Sequence, residues 1–422
     1  MSTLSLWKAT ANPPKKRPVL LGDENTDVVI VGAGFTGISA SLHLQKKGYN
    51  TIVLEQETVG WGASGRNGGM LLPGYKPTLM ELADKWGLDE AKQLNELSLE
   101  SLQLVEQLIN DYQIDCSLQK TGHVVAAFKA KHFEGMKKES EFINKHFGYE
   151  TKIIEKNQMG EVIHSTAYYG GVEDPLSYSF HPLNYVRGLA EAAESHGAKI
   201  YEKSKVLNVK RESGYVEVFT ESGKVKAKEL ILATDAYSEK IMKPLHQGIL
   251  SISSQIIATE ILPESTLKRL LPKGQMIFDT SNFLYYFRRT PDSRIAFGGG
   301  DIIPNRGESV YNEVYDAMIK VFPELKGCNV NYRWDGLIGV TRDMFPVLGR
   351  MEDGTFFAAG YCGHGASLAT LFGKLLAQYV VKESEDMYRF GEMKLKPFPF
   401  SSQKGLLINL ASKYHRLLDW LA

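Results

Sequence analysis

The stretch that most constrains this chain is residues 27–55, DVVIVGAGFTGISASLHLQKKGYNTIVLE. Val28–Val31 is an apolar run of the kind that forms a strand buried on both faces of a parallel sheet. It runs into Gly32, Gly34 and Gly37, spaced G-x-G-x-x-G, and then into a helical pattern carried by Ile38, Leu42 and Leu44. Gly48 closes that helix, and Thr51–Leu54 begins a second apolar strand that ends at Glu55. The glycines serve different ends. Gly32 allows a tight turn, Gly34 lets a pyrophosphate approach the backbone, and Gly37 lets helix pack closely on strand. The helix start, at Phe35 and Thr36, offers unpaired N–H groups and a partial positive charge to phosphates. Glu55, with Gln56 beside it, stands where a carboxylate accepts hydrogen bonds from a ribose diol. A glycine-rich turn alone can be purely structural. A strand before it, a helix after it and an acid at the end of the next strand make this one βαβ dinucleotide site.

At 422 residues the chain is too long for one simple core, which makes two domains the expectation. Lysine plus arginine and aspartate plus glutamate both number 49, so no net field favours nucleic acid or an anionic membrane. Cys116, Cys328 and Cys362 are too widely spaced for a disulfide framework or a zinc site, and no metal site is expected. The first 26 residues lack the apolar core of a signal peptide, and no window reaches the ~18 consecutive apolar residues of a membrane span. A cytoplasmic enzyme acting on a small molecule is therefore expected. No segment specifies an oligomeric state.

Along the chain, Pro13, Pro14 and Pro18 predict an extended arm over residues 1–26 that crosses the surface. The glycine-rich loop 59–75 follows Glu55, and Leu94, Leu97, Leu102, Val105, Leu108, Ile109 and Tyr112 mark one face of a packing helix over 89–112. Helices are expected over 131–147, 182–196, 309–320 and 366–381. Strands are expected at 121–128, 199–202, 205–210, 215–220 and 229–233. Pro291–Asp292 makes 284–298 a hairpin. The fold class expected is α/β: a discontinuous Rossmann-like nucleotide domain (27–115, 165–245 and 335–385) with an inserted α+β substrate domain (116–164 and 246–334) built on an antiparallel sheet. The tail, 386–422, is expected to carry an amphipathic helix with Leu406, Leu407, Leu410, Tyr414, Leu417, Leu418 and Leu421 on one side, docked on its own domain.

Three further segments decide between NAD and FAD: VGWGASGRNGG at 59–69, LILAT at 230–234, and AGYCGHG at 359–365, where glycines lead into a second helix N-terminus suited to negative charge. With these, the KATANPPKKRP arm, NFLYYFRRTPDSRIAFGGGD and WDGLIGVTRDMFPVLG, the chain resembles the D-amino-acid oxidase/glycine oxidase family of FAD-dependent amine oxidoreductases over nearly its whole length. The resemblance implies that Gly32, Gly34, Gly37 and Glu55 hold the ADP half of FAD. It implies that Ser64, Gly65, Arg66, Asn67, Gly68 and Gly69 line the pyrophosphate and flavin. Val206 would meet the adenine, Thr234 would close over the ADP, and Gly360, Gly363, His364 and Gly365 would sit by the flavin.

Two departures from the family refine this expectation. Covalent relatives carry a histidine just after the loop tryptophan or a cysteine shortly before the 341–348 stretch. Here Gly62 takes the first position, and 334–348 holds no cysteine, so non-covalent FAD is expected. Sarcosine-oxidase-like relatives place a lysine three residues after the GHG histidine, paired with the substrate carboxylate; here it is Ser367. The expected reaction is therefore oxidation of an alkylamine, γ-glutamylputrescine or a similar blocked diamine, to an imine and then an aldehyde. The hydride passes to flavin, with O₂ or another acceptor reoxidising it. The alternatives are an oxidase or dehydrogenase of sarcosine, glycine or D-amino acids, and a flavin-binding subunit of a larger complex. His364, Tyr286 and Arg288 are the expected catalytic residues: His364 beside the reduced flavin, Tyr286 in an aromatic pocket with Trp334, and Arg288 or Arg289 on a distal carboxylate. Asp343 reads as a turn residue and Cys362 as a packed one.

Overall fold

The computed structural model describes residues 4–238, 243–304, 306–384, 386–399 and 403–420. Strand Gly22–Val31 lies at the middle of the first sheet. Its apolar end, Val28–Val31, pairs in parallel with Thr51–Leu54 on one edge and with Glu229–Leu232 on the other. Lys199–Tyr201 extends the sheet beyond Thr51–Leu54, and Phe356–Ala359 adds alongside Ile231 and Leu232, both again parallel. Val28, Val29 and Ile30 are buried, as expected of a strand covered by helices on both faces. The strand starts at Gly22 rather than 27, because 22–26 pairs with 223–227 of the long strand Gly223–Leu232. The antiparallel pair Asn208–Glu212 and Tyr215–Phe219 attaches to that same half of the strand, so 205–207 lies outside regular structure.

The arm departs from expectation. Leu6–Thr10 is a helix, capped by the Ser5 hydroxyl, which accepts from the Lys8 N–H. The prolines act only after it, leaving 11–21 irregular, and Leu6 and Trp7 are buried in the main core.

The second sheet has eight strands, in the order Val330–Val340, Leu250–Thr259, Ile295–Gly299, Tyr286–Arg289, Met276–Asp279, His123–Ala126, Gly170–Asp174 and Lys152–Glu155. It is mixed rather than antiparallel throughout, since Met276–Asp279 runs parallel to His123–Ala126. Gly170–Asp174 belongs to it, as does the run 335–340, so the two layers trade segments at points other than the boundaries expected from sequence. Alternate residues of its strands enter different cores. Ile256, Ala258, Ala296 and Trp334 join the core of the nucleotide layer, while Ile257, Phe287 and Phe297 pack with Val314, Met318 and Phe322 of the helix Ser309–Val321 and its end.

The tail helix, Lys404–Trp420, docks through Ile408 and Ser412, whose hydroxyl donates to Asp301 Oδ1 at 2.7 Å, and through Lys404, which donates to the Ile249 carbonyl at 2.7 Å. Leu406, Leu410 and Tyr414 are exposed, so the apolar stripe read from sequence is not the docked face. The side chains of Leu417, Leu418 and Leu421 lie outside the described residues. No helix among the described residues is long and apolar enough to cross a membrane, and none of their His, Cys, Asp and Glu clusters could hold a metal ion.

Candidate active site

Ligands of open α/β sheets bind beyond the carboxyl ends of the parallel strands. Here four such ends converge: Gly32 after Val31, Glu55 after Leu54, Thr234 after Leu232, and Gly360 after Ala359. They open onto a cavity of about 460 Å³ whose far wall is the second sheet. Gly32, Gly34, Phe35, Thr36, Glu55, Gln56, Ser64, Arg66, Asn67, Gly68, Val206, Thr234, Gly363, His364, Gly365 and Tyr286 all line it.

The nucleotide end is defined by backbone that no side chain could occupy. Gly32 has φ +104°, and a Cβ there would lie 2.7 Å from the Ala233 carbonyl; a Cβ at Gly37 would lie 2.0 Å from the Gly32 carbonyl. Gly34 precedes the first turn of helix Phe35–Lys46, and Ser64 Oγ, from the glycine-rich loop, accepts the Phe35 N–H at 2.9 Å. A Cβ at Gly34 would meet that oxygen at 2.8 Å. Glu55 accepts from Ala33 N–H through Oε2 at 2.9 Å and from Glu57 N–H through Oε1 at 2.8 Å. Both oxygens keep capacity for hydroxyl donors from a ribose. Burial pushes its carboxyl pKa up, and those two N–H groups pull against the shift.

A second helix, Gly365–Val380, brings its N-terminus to the same cavity. The first helix is locked to the second by Ser39 Oγ, which donates to the Thr370 carbonyl at 2.7 Å, and to the turn before it by the Thr36 and Tyr361 hydroxyls, 2.6 Å apart. The turn between strand and helix is held by Asp235. This half-buried aspartate, itself at φ +40°, accepts the Gly360 N–H at 2.7 Å, and its oxygen stands 2.2 Å from where a Cβ on Gly339 would be. Gly363, at φ +97°, has open space in front of it, so bare backbone faces the cavity. His364 is half-buried, its Nδ1 has no hydrogen-bond partner among the described residues, and desolvation lowers its pKa to about 4, leaving a neutral ring at pH 7.

The loop 66–69 is gripped from behind at three carbonyls. Trp334 Nε1 donates to Arg66 O at 2.9 Å, Trp7 Nε1 to Asn67 O at 2.7 Å, and Arg288 Nη1 to Gly69 O at 2.8 Å. Trp7 also stands edge-on to Trp334 and carries the Arg288 guanidinium on its face, 5.2 Å from the ring centre.

This arrangement corrects two expectations. Arg288 does not reach the cavity. It is 1% exposed, its other nitrogen donates to Phe180 O at 3.0 Å, and desolvation lowers its pKa to about 9. Arg289 points the opposite way, to the carbonyls of Leu267 and Leu271, near Glu264. Nor does Trp334 line the pocket. Of the aromatic run, Tyr286 faces the cavity, its hydroxyl 3.0 Å from Ser254 Oγ, while Tyr285 and Phe287 pack against Phe297. Among the remaining expected residues, Gly37, Gly65, Gly69 and Gly360 act in packing behind the surface: a Cβ at Gly65 would lie 2.1 Å from Gly60 O, and one at Gly360 2.2 Å from the Thr341 methyl. Asp343 pairs with Lys396, and Cys362 is buried with its thiol pKa raised to about 11.

Sequence reasoning missed Trp7, Asp235 and Lys76, a cavity-lining lysine in the loop after Leu72. Asp235 directly follows the LILAT strand, but as a turn aspartate it is not set apart by its own neighbourhood.

The cavity fits FAD: two helix N-termini for the charged ends, a side-chain-free approach at Gly34 and Gly363, a carboxylate at the ribose end, and a neutral imidazole at the other. A family model described as FAD dependent oxidoreductase matches residues 27–379. The chain is 32% identical over 399 residues to gamma-glutamylputrescine oxidoreductase of Escherichia coli, covering 94% of this chain and 93% of that protein. It is 33% identical over 409 residues to a probable oxidoreductase OrdL of Haemophilus influenzae, covering 95% and 94%. In fold it is similar to glycine oxidase from Geobacillus kaustophilus, with a TM-score of 0.76 at 20% identity, over 89% of this chain and all of that one.

Proposed function

The chain belongs to the FAD-dependent oxidoreductase (DAO) family and acts on amine or amino-acid substrates, and from that premise we propose that it oxidises the primary amine of a blocked diamine, γ-glutamylputrescine or a close analogue. The observation that carries this reading is Ser367. It occupies the position where relatives that hold an amino acid by its carboxylate keep a lysine. Here it is 1% exposed and its hydroxyl is spent on the Leu72 carbonyl at 2.9 Å. An amino acid whose carboxylate lay beside the flavin would have no cation at that position.

The geometry supports the following assignments. Gly32, Gly34 and the N-terminus of Phe35–Lys46 would hold the pyrophosphate, and Glu55 the ribose. Val206 and Thr234 would border the ADP half, Ser64–Gly69 and Gly363–Gly365 the flavin. No cysteine lies in 334–348 and residue 62 is glycine, so the cofactor is held without a covalent bond. When bound, FAD accepts the hydride from the carbon bearing the amine, leaving an imine that water hydrolyses to aldehyde and ammonia.

The protein's part is to make the amine neutral and to aim it. An alkylammonium with a pKa near ~10 must lose its proton at a cost of about 4 kcal/mol at pH 7. A pocket walled by Tyr286, Phe278, Leu284 and Ile256 lowers that cost by desolvating the ammonium. His364, with a pKa of about 4, is too weak a base to hold that proton. Its neutral ring instead lines the site without adding a positive charge that would oppose the amine, and the proton leaves to solvent.

The reading places the enzyme in the cytoplasm, with O₂ as the electron acceptor. Its test is anaerobic bleaching of the bound flavin by blocked diamines, sarcosine, glycine and D-alanine. Blocked diamines should bleach it at the lowest concentration; bleaching by the amino acids alone would overturn the assignment.

A further inference from the structure

Where the second sheet walls the cavity, two aromatic rings point apart. Phe278 and Tyr286 are direct cross-strand partners, so both project from the face that lines the cavity. Phe278 stands against His123, which belongs to the strand on its far side. The two rings are stacked, 5.1 Å between centroids with 17° between planes. That separation is close to the spacing of neighbouring strands, about 4.8 Å, so the rings stand side by side rather than lying on the sheet. His123 is itself fixed, being buried with its Nδ1 2.7 Å from the Ser177 hydroxyl.

Tyr286 leans the other way. A Cβ on Gly298, in the next strand, would lie 2.5 Å from Tyr286 Cζ, so the ring fills the space that a side chain would take there. Its hydroxyl reaches Ser254 Oγ, 3.0 Å away and one strand further still. One face of Phe278 is thus covered by His123, and no second ring packs against Phe278 among the described residues. Ile256 and Leu284 add only hydrocarbon to the cavity. The acids among the described lining residues, Glu55 and Asp235, are both engaged by backbone N–H groups, one at the nucleotide end and the other at the 360–365 turn.

We propose that the open face of Phe278 binds an uncharged flat group of the substrate, an amide or an aromatic ring, and that arylalkylamines are therefore oxidised alongside blocked diamines. The chemistry is unchanged. The ammonium loses one proton to solvent, the carbon bearing it gives a hydride to FAD, and water converts the resulting iminium into aldehyde and ammonium. A ring on that face continues the His123–Phe278 stack, a contact worth about two- to tenfold in affinity. A second ammonium would be stripped of water with no free carboxylate among the described lining residues to receive it. Because this proposal rests on the amine reading, its test separates the two.

The FAD-bound enzyme is reduced anaerobically by amines paired to differ only in their ring, phenyl or cyclohexyl, on linkers of two, three and four carbons. Cyclohexyl is the more hydrophobic of the two, so a preference for phenyl reports flatness rather than exclusion of water. On the linker that reduces the flavin best, phenyl should exceed cyclohexyl by about three- to tenfold in limiting rate over Kd, with putrescine behind both. Phe278→Leu should abolish the phenyl preference through Kd, and Phe278→Tyr, which keeps the ring face, should retain it. The corresponding alcohols, whose binding is measured by calorimetry, should rank phenyl first without any oxidation. Equal treatment of the two rings, a preference that survives Phe278→Leu, or putrescine as the best substrate overturns the slot and leaves the amine reading standing. If no amine reduces the flavin while the alcohols still favour phenyl, the amine reading falls, and arylalkylamine oxidation with it, but the slot stands. The flavin absorbance of each variant reports that it has folded.

Discussion

At the scale of single residues, the chemistry of this site depends on desolvated groups whose partners are backbone. Asp235 is the clearest case. Its carboxylate joins the 360–365 turn to the 235–237 turn and to strand Val330–Val340 by accepting N–H groups, and burial raises its pKa against them. Asparagine at this position keeps one acceptor but turns an NH₂ group onto a backbone donor. Such a mismatch costs on the order of 1–3 kcal/mol. Asp235→Asn should therefore bind FAD about ten- to a hundredfold more weakly, measured by release of flavin fluorescence on dilution, with far-ultraviolet circular dichroism preserved. This residue also shows what was legible in sequence. The glycines of 32–37 and Glu55 announce themselves because their roles are local and their spacing fixed. Asp235 acts on residues more than a hundred positions away, and nothing in its own neighbourhood distinguishes it from a turn aspartate. Arg288 escapes a sequence reading for a related reason: it shares a face with the cavity-lining Tyr286, but the carbonyls of Gly69 and Phe180, which hold it behind the 66–69 loop, come from distant stretches of chain.

At the scale of elements, the helix Pro182–Ser195 carries a pH-sensitive start. His181 Nδ1 accepts the Asn184 N–H at 3.1 Å as the helix cap, and its Nε2 lies 3.1 Å from the Thr10 hydroxyl of the arm helix. The cap requires a neutral ring, and burial lowers the pKa from 6.5 to about 4. A depressed histidine pKa means that the unfolded chain takes up the proton first. The stability linked to this group is thus complete above pH 6.5 and lost as pH falls through 4, about 3 kcal/mol in all. His181→Asn keeps a capping oxygen without the titration. Its urea midpoint should fall less than that of the native protein between pH 6.5 and 4, and equal slopes would refute the assignment. The elements were the most legible level. The helices at 88–111, 130–146, 182–195, 309–321 and 365–380 lie within a residue or two of their apolar periodicity. The arm helix was hidden because five residues carry too little periodicity to compete with three nearby prolines, and its stability comes from burying Trp7. The tail misled in the opposite sense: its leucine stripe is real, but Ile408, Ser412 and Lys404 supply the docking contacts.

At the scale of the whole molecule, the cavity is the seam between two sheets, and the strand Val330–Val340 contributes to both sides through Trp334 and Gly339. A ligand filling the seam stabilises both layers together. Excess FAD at a hundred times its Kd should add about 2.7 kcal/mol of stability, and flavin release and tryptophan fluorescence should report one coincident thermal transition. Two separate transitions would show that the layers unfold independently. The fold class was readable from the alternation of helical and strand periods. Where the layers exchange segments was not, because it is set by which strand pairs with which, and the pairing of 170–174 with 123–126 leaves no mark in either stretch.

The three clasped carbonyls of the 66–69 loop have a consequence for how the protein is made. Their donors are Trp7, at the start of the chain, and Arg288 and Trp334, both in its last third. A ribosome that has already exposed the entire 27–55 unit has not yet translated two of the three clasps. Flavin loading is thereby postponed until synthesis is nearly complete, and a chain stalled before residue 334 carries the fingerprint of a dinucleotide site without the means to close it.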